Sequence, residues 1–396
     1  MRPLPITSPS IDADDLEAVT RPLQRGWLVQ GEEVAGFEAE FAAWTGVPHA
    51  VATTSCTTAM QLALAVLQVR PGDEVIVPAF TWVATPNVVE HLGARAVFVD
   101  IELSTFNLDV AQAEALISPR TVGILPVHLF GYPAPMDRLA SVASRHGLWL
   151  VEDAACGFDA WRDGRHVGTT GRFGCFSFHP RKAITTGEGG MVLAQDAADA
   201  ARLRTLRDHG AGRSDHARHH ATHAFQLPTF PELGFNFRMT DIQAALGRAQ
   251  LRKAPRLMSE RRLVATWYDT LLAEFDWLRR PVHDPRQVHG YQSYVCLLQP
   301  EALTMAAVSR VAALRLRLMA WLEARGISTR PGTHAPPFLD VYQTRYATPV
   351  AALPNAWIAD QCSIALPLSP SMTPADCERV VAALRDGMAA CWGSRC

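Results

Sequence analysis

One lysine, Lys182, stands in the stretch CFSFHPRKAITTGEGGM at 175–191. An apolar run, 175–178, ends at His179 and Pro180. A second apolar run, 191–193, follows Gly187, Glu188, Gly189 and Gly190. The pattern predicts a strand, a tight polar loop carrying the lysine, and another strand. An amine held at a strand end can form an imine with a carbonyl and then carry a proton. Some of it must be unprotonated for that, so burial or a neighbouring cation has to lower its pKa. Alone, a loop lysine reads as a solvated charge, and the chemistry depends on what else gathers around it.

Trp82, His128, Asp153, Ser177 and Lys182 all fall at or just past the ends of apolar runs. Asp153, after Glu152, is an acid that can hold a proton on a ring nitrogen; the bland reading is a pair of strand-end acids capping a turn. Trp82 offers area for a planar ring, against the alternative of core packing. A third feature is Thr53-Thr54-Ser55-Cys56-Thr57-Thr58 between an expected strand, 49–52, and an expected helix, 59–69. Free backbone N–H groups and the helix dipole make such a turn an anion site, although Ser and Thr are favoured at helix starts in any case.

The elements that must position these residues alternate. Strands are expected at 74–77, 96–99, 121–129 and 148–151, with helical spacing at 11–23, 34–44, 110–117 and 136–146. Apolar strands alternating with amphipathic helices predict an α/β fold with a parallel sheet covered on both faces. Ligands in such sheets bind beyond the strand carboxyl ends. LGFNFRM at 233–239 leads into a long helix from Thr240 toward residue 275, with Pro255 as a break or kink. Beyond it the pattern becomes α+β: strands at 289–299 and 363–367, helices at 308–325 and 374–390. We therefore expect a large domain over 1–250 and a smaller one over 251–396.

Composition narrows the class. The chain has 396 residues, 48% hydrophobic and 19% charged, with net charge −2. That balance argues against a nucleic-acid partner or an anionic membrane surface. No stretch approaches the ~20 apolar residues of a membrane span, and the start, MRPLPITSPSIDADD, lacks a secretory apolar core. Eight cysteines occur without CxxC pairs, which suits a reduced, cytoplasmic chain without disulfides or a metal site. His216, His219, His220 and His223 crowd a polar loop at 209–223. No cysteine or carboxylate framework accompanies them, so a solvated or partner-facing loop is the reading.

The motifs in order resemble the DegT/DnrJ/EryC1/StrS aminotransferases. The likeness runs through GWLVQGEEVAGFEAEFA, AVATTSCTTAMQLAL, GDEVIVPAFTWVAT, VFVDIELSTFNLD, ILPVHLFGYPAPMD, LVEDAACGFDA, FGCFSFHPRKAITTGEGGMV and LGFNFRMTDIQAALG. Each is weak singly; their order and spacing are specific. The resemblance implies a fold-type I pyridoxal-phosphate-dependent transferase. Such a fold has a large domain with a mostly parallel sheet flanked by helices and a smaller C-terminal α+β domain. It implies that Lys182 carries the cofactor, that Asp153 pairs with the pyridine nitrogen and that Trp82 lies on the ring. Cys56, Thr57 and Ser177 would hold the phosphate. Asn236 would reach the phosphate of a neighbouring subunit, making a homodimer with shared sites. Two positions depart from the pattern. Cys56 stands where glycine is frequent. Cys156 stands where Gln or His contacts the cofactor's ring oxygen, and a thiol is a poorer hydrogen-bond partner.

What the resemblance implies chemically is transfer of an amino group from glutamate or glutamine to the keto group of a nucleotide-linked sugar. Thr186, Glu188, Arg238, Arg330, His334, Trp27, Leu28 and His289 are the candidate substrate contacts, the arginines because guanidinium suits oxyanions. A keto-cyclitol acceptor is an alternative. A related sugar dehydratase is another, though that branch replaces the lysine with histidine. A non-catalytic regulatory relative would not need the lysine, the acid and the phosphate cradle together.

Overall fold

The computed structural model describes residues 2–213, 219 and 225–393. After helices α1 (Ala13–Arg25) and α2 (Glu32–Thr45), the chain alternates strands with helices. These are β1 (His49–Thr53), α3 (Cys56–Val66), β2 (Glu74–Pro78), α4 (Ala84–His91), β3 (Arg95–Val99) and α5 (Val110–Ala115). Next come β4 (Thr121–Ile124), α6 (Met136–His146) and β5 (Trp149–Asp153). A small hairpin, β6 (Trp161–Arg162) and β7 (Arg165–His166), precedes β8 (Phe173–Ser177), β9 (Gly190–Ala194) and α7 (Ala197–Arg207). Seven strands form one sheet in the order β1-β9-β8-β5-β4-β2-β3.

The sheet is mostly parallel, as expected, with one reversal. β9 runs antiparallel to both β8 and β1. The reason is local: β8 and β9 are joined by the Lys182 loop with no crossover helix, and a connection that short returns the chain antiparallel. Side chains alternate between two cores, as strand pleating requires. Val75 and Val77 join the cluster with α3, α4 and α7, while Ile76 joins the one with α5 and α6.

Two expected strands are shorter in the structure. The first stops at Ile124; past His128 the chain tightens into a 3-10 turn, Leu129–Gly131, with Phe130 at φ 58. The second begins only at Tyr294, because Tyr291 at φ 42 interrupts extended geometry.

Helix α8 (Asp241–Leu271) opens with a capping box between Thr240 and Gln243 and continues through Pro255. The expected boundary near residue 250 therefore falls inside a helix and not in a linker. The first half of α8 supplies Ala244 and Leu251 to the core under β1 and β9. Its second half supplies Val264 and Tyr268 to the C-terminal core. That second region contains β10 (Leu278–Arg279), β11 (Gln287–Val288), β12 (Tyr294–Leu298), α9 (Met305–Glu323), α10 (Asp340–Tyr346), α11 (Pro354–Cys362), β13 (Ser363–Leu366) and α12 (Pro374–Gly393). Its antiparallel sheet, β10-β12-β13, shares a core with Phe80, Phe106 and Phe130 from the large sheet's side. The seven cysteines among the described residues are free thiols. Among those residues no helix is long and apolar enough to cross a membrane.

Candidate active site

The loop between β8 and β9 is shaped by its own hydroxyls. Thr185 Oγ1 donates to the Phe178 carbonyl (2.9 Å) and accepts from the Gly187 N–H (2.9 Å). Thr186 Oγ1 donates to the Glu188 carbonyl (2.7 Å), which also accepts from Gln243 Nε2 at the start of α8 (2.7 Å). Gly187 sits at φ +82, a left-handed position that suits glycine. Thr186, a candidate substrate contact, is thus engaged in shaping the loop. The Glu188 carboxylate stays exposed.

This loop presents Lys182, whose Nζ donates to Cys156 Sγ at 3.2 Å. Burial pushes the Lys182 ammonium down, but the Cys156 sulfur, with Cys56 and Asp153 behind it, outweighs burial and holds the group above its ordinary value. The sequence reading expected a lowered value; the Cys156 sulfur, at a position where the family has Gln or His, meets the lysine here.

Asp153, at the end of β5, is 4% exposed. Its Oδ2 accepts from Thr85 Oγ1 (2.8 Å) and its Oδ1 from the Ala155 N–H (3.0 Å), with the Cys56 thiol at 3.9 Å. The Cys56 thiol also donates to the Cys175 carbonyl at 3.3 Å, and burial, then Asp153, push its pKa up. Cys56 is therefore a neutral filler between the acid and the helix.

Beneath Asp153 lies a second buried pair. Glu152 and His128 have no exposed surface. His128 Nδ1 accepts from the Ala134 N–H (3.0 Å), so Nε2 carries the proton and donates to Glu152 Oε2 (2.8 Å). The backbone N–H groups of Gly168, Thr170 and Gly171 donate to the same carboxylate at 2.8, 2.7 and 2.6 Å. Burial alone would raise the Glu152 pKa; the His128 and backbone donors hold it below its ordinary value. The His128 N–H also donates to the Asp153 carbonyl (3.0 Å), so this pair fixes the strand end that carries Asp153.

Opposite them is the start of α3, where free backbone N–H groups can receive an anion. Ser55 caps α3, exchanging bonds with Thr58 in a capping box. Thr57, in the first turn, makes no hydrogen bond through its hydroxyl among the described residues and is half-buried. Ser177 sits across from Gly190 in the β8–β9 register. Gly190 lies so close to this turn that a Cβ there would come 2.3 Å from the Ser55 carbonyl carbon and 2.6 Å from the Cys56 nitrogen. The helix start, Thr57 and Ser177 can approach one ligand only because residue 190 has no side chain.

Trp82, just past β2, is 58% exposed, a large ring left uncovered at the carboxyl edge of the sheet. The ring of His334 lies 5.7 Å from it, held by the Thr81 N–H donating to the His334 carbonyl (3.0 Å). Arg330 precedes His334 and pairs through its backbone with Ala365 of β13.

The remaining candidates divide. Asn236 is exposed, and its side-chain amide has no hydrogen bond among the described residues. Arg238 is engaged by Asp208 at 2.5 Å. Trp27 packs over Gly31, and Leu28 accepts from the Asp241 N–H through its carbonyl (3.1 Å). This pins the 26–31 turn to the start of α8. His289 stacks on Tyr291 at 3.9 Å and accepts from the Tyr291 N–H at Nδ1 (2.8 Å). Burial pushes it down to about 3, so it is a neutral packing group. Of the histidine-rich loop, His216, His220 and His223 lie outside the described residues; the His219 ring is 5.3 Å from that of Trp27. The sequence reading passed over Thr85. Its signal was the four-residue spacing from Thr81, which lets the two hydroxyls meet at 3.0 Å beside a strand-end acid.

The arrangement fits pyridoxal phosphate: an amine, a buried acid, an uncovered ring and a cradle that a Cβ would fill stand at one sheet edge. The comparisons with known proteins agree. The model of the DegT/DnrJ/EryC1/StrS aminotransferase family matches residues 9–385. GDP-perosamine synthase of Caulobacter vibrioides is 37% identical over 384 residues, covering 96% of each chain. The structure of the aminotransferase TlmJ from Streptoalloteichus hindustanus superposes with a TM-score of 0.87 at 30% identity, over 98% of this chain and 99% of that one. The PLP-form of the putative sugar aminotransferase Spr1654 from Streptococcus pneumoniae superposes with a TM-score of 0.88 at 26% identity, covering 98% and 99%.

Proposed function

The chain belongs to the DegT/DnrJ/EryC1/StrS aminotransferase family, whose members are pyridoxal-phosphate-dependent sugar aminotransferases, and we propose that it moves an amino group from glutamate or glutamine to the keto group of a nucleotide-linked sugar. The observation that carries this reading is the convergence of Lys182, Asp153 and Trp82 on one edge of the sheet.

Pyridoxal phosphate, when bound, supplies the carbonyl that takes up the amino group and a conjugated ring that spreads the charge left by proton removal. Lys182 would hold the cofactor at Nζ and, once displaced, its amine would serve as the base that takes up and returns a proton. Asp153 holds a proton at the ring nitrogen, oriented by Thr85 and the Ala155 N–H. Trp82 covers one ring face and excludes water from it. The start of α3, Thr57 and Ser177 bind the phosphate.

A homodimer is part of this reading. Phe225, Leu227, Phe230 and Leu233 are 81, 84, 60 and 97% exposed, a run of uncovered apolar side chains that suits an interaction surface. It leads directly to Asn236, whose free amide suits a contact with a second copy's site.

The reading is tested by incubating the purified protein with glutamate or glutamine and a panel of keto-sugar nucleotides and inososes, following products by mass. An aminated sugar nucleotide is expected. Amination of inososes alone would favour the cyclitol acceptor, and loss of water without amination the dehydratase.

A further inference from the structure

The loop that carries Lys182 is gripped at two carbonyls by two glutamine amides. Gln243 Nε2, at the start of α8, holds its far half through the Glu188 carbonyl (2.7 Å). Gln292 Nε2, just before β12, holds its near half through the Arg181 carbonyl (3.1 Å). Among the described residues, this is the one hydrogen bond that the backbone of 180–184 receives from outside the loop. Within the loop, the Lys182 N–H donates to the His179 carbonyl (2.8 Å). Ser293 Oγ donates to Gln292 Oε1 (3.0 Å), which leaves the amide nitrogen as the end that faces Arg181.

The turn that presents Gln292 is strained and firmly tied. Tyr291 sits at φ 42, a left-handed position unfavourable for a bulky side chain. Arg261, buried on α8, holds it there: Nε donates to the Tyr291 carbonyl (3.0 Å) and Nη2 to the Gln292 carbonyl (2.8 Å). The Gly290 N–H donates to the Gly131 carbonyl (2.9 Å). Gly131, at φ +96, lies so close that a Cβ would come 2.8 Å from the Tyr291 nitrogen and 3.1 Å from the Cys156 carbonyl oxygen. The turn thus reaches Lys182 by two routes. One is the Arg181 carbonyl; the other passes Gly131 to the backbone of Cys156, whose sulfur the lysine meets.

We propose that Gln292 is a positioning residue for Lys182, held in place for that task by the 289–293 turn. This deepens the transamination reading and rests on Lys182 being its amine. The peptide group between Arg181 and Lys182 is planar. Gln292 fixes its carbonyl end and the His179 carbonyl fixes its N–H end, so the plane is set, and with it the direction in which the Lys182 side chain leaves the backbone. An amine that must meet a cofactor and then a proton loses rate when its aim drifts by about an ångström. A turn that only packed would not need a residue at positive φ, a buried guanidinium and an oriented amide together. Strain of this kind persists where the surroundings over-determine it, and it clusters at active sites.

The test compares the full-length protein with Gln292→Met, which keeps the length but removes the donor, and Gln292→His, which keeps an N–H. Hydrogen exchange read by peptide mass should be ~5-fold faster over 179–186 in Gln292→Met, the scale of one net hydrogen bond. It should stay at parent rates elsewhere in the chain and in Gln292→His. With pyridoxal phosphate loaded, Gln292→Met should lose a similar factor in the rate constant of the glutamate half-reaction, while the KM for glutamate and the melting temperature stay unmoved. Gln292→His should recover most of that rate. Parent exchange rates over 179–186 in Gln292→Met would overturn the assignment. So would an unchanged half-reaction rate, or faster exchange throughout the chain that Gln292→His fails to reverse. Should the loop loosen and recover as expected while no amino acid reacts with any of the three proteins, the positioning role stands and the transaminase reading falls.

Discussion

Lys182 and Cys156 are hydrogen-bonded, nitrogen to sulfur, at 3.2 Å. This is the one hydrogen bond of the Lys182 amine among the described residues, and it opposes burial strongly enough to keep the ammonium form above its ordinary 10.5. A raised folded-state value means that the contact contributes stability at lower pH and loses it as pH climbs through that raised value. In the cofactor-free chain the free amine is scarce at neutral pH, so uptake of pyridoxal phosphate should accelerate as pH rises. Cys156→Ala removes the largest of the groups that oppose burial and leaves only Cys56 and Asp153 against it. Its uptake at neutral pH should be measurably faster, because a lower pKa leaves more of the amine free. Stopped-flow absorbance across pH measures this, and superimposable profiles for parent and variant would refute it.

The cradle should fail through residue 190. Gly190→Ala puts a methyl group 2.3 Å from the Ser55 carbonyl carbon, so the start of α3 must move away from Ser177. Cofactor affinity should fall ~10-fold or more, since a displaced helix start loses part of its backbone donors and dipole. Fluorescence titration with pyridoxal phosphate reads the change. Circular dichroism should show the fold retained, and full affinity in the variant would place the phosphate elsewhere.

Acid should destabilise the fold through two buried groups of known sign. His166 is neutral, with Nδ1 donating to the Val167 carbonyl (2.6 Å) and Nε2 accepting from the Asp159 N–H (3.2 Å). Burial lowers it from 6.5 to about 4. The unfolded chain binds a proton there first, so stability falls as pH drops from 6.5 toward 4, by roughly 3 kcal/mol if this group acts alone. Glu152, held below its ordinary 4.5, contributes stability above that value and loses it as pH falls through its folded value. Glu152→Gln keeps the shape but turns an amide toward backbone N–H groups, and should cost about 3 kcal/mol, as breaking a buried pair does. Urea midpoints from pH 7 to pH 4 check both. A flat parent profile, or a Glu152→Gln protein as stable as the parent, would contradict them.

Much of this site was legible because strand ends are. Trp82, Asp153, Ser177 and Lys182 come together since parallel strands end on one edge, and apolar runs mark those ends plainly. The antiparallel return of β9 was less legible, because alternation of apolar runs says nothing of strand direction; the absence of a helix between β8 and β9 was the cue. The contact between Cys156 and Lys182 was not legible, because spacing gives a residue's neighbourhood but not the direction of its side chain. His289 looked available because its stacking on Tyr291 is a tertiary fact. The expected boundary near 250 missed that one helix can serve two cores, Leu251 in one and Tyr268 in the other.

The central claim is that Lys182 is the amine that carries the cofactor. Borohydride reduction of the protein loaded with pyridoxal phosphate, followed by peptide mass analysis, tests it most directly. The account predicts a stable phosphopyridoxyl mass on the peptide containing Lys182 in the parent and none in Lys182→Ala. A modified peptide from elsewhere in the chain, or equal labelling of the variant, would contradict it.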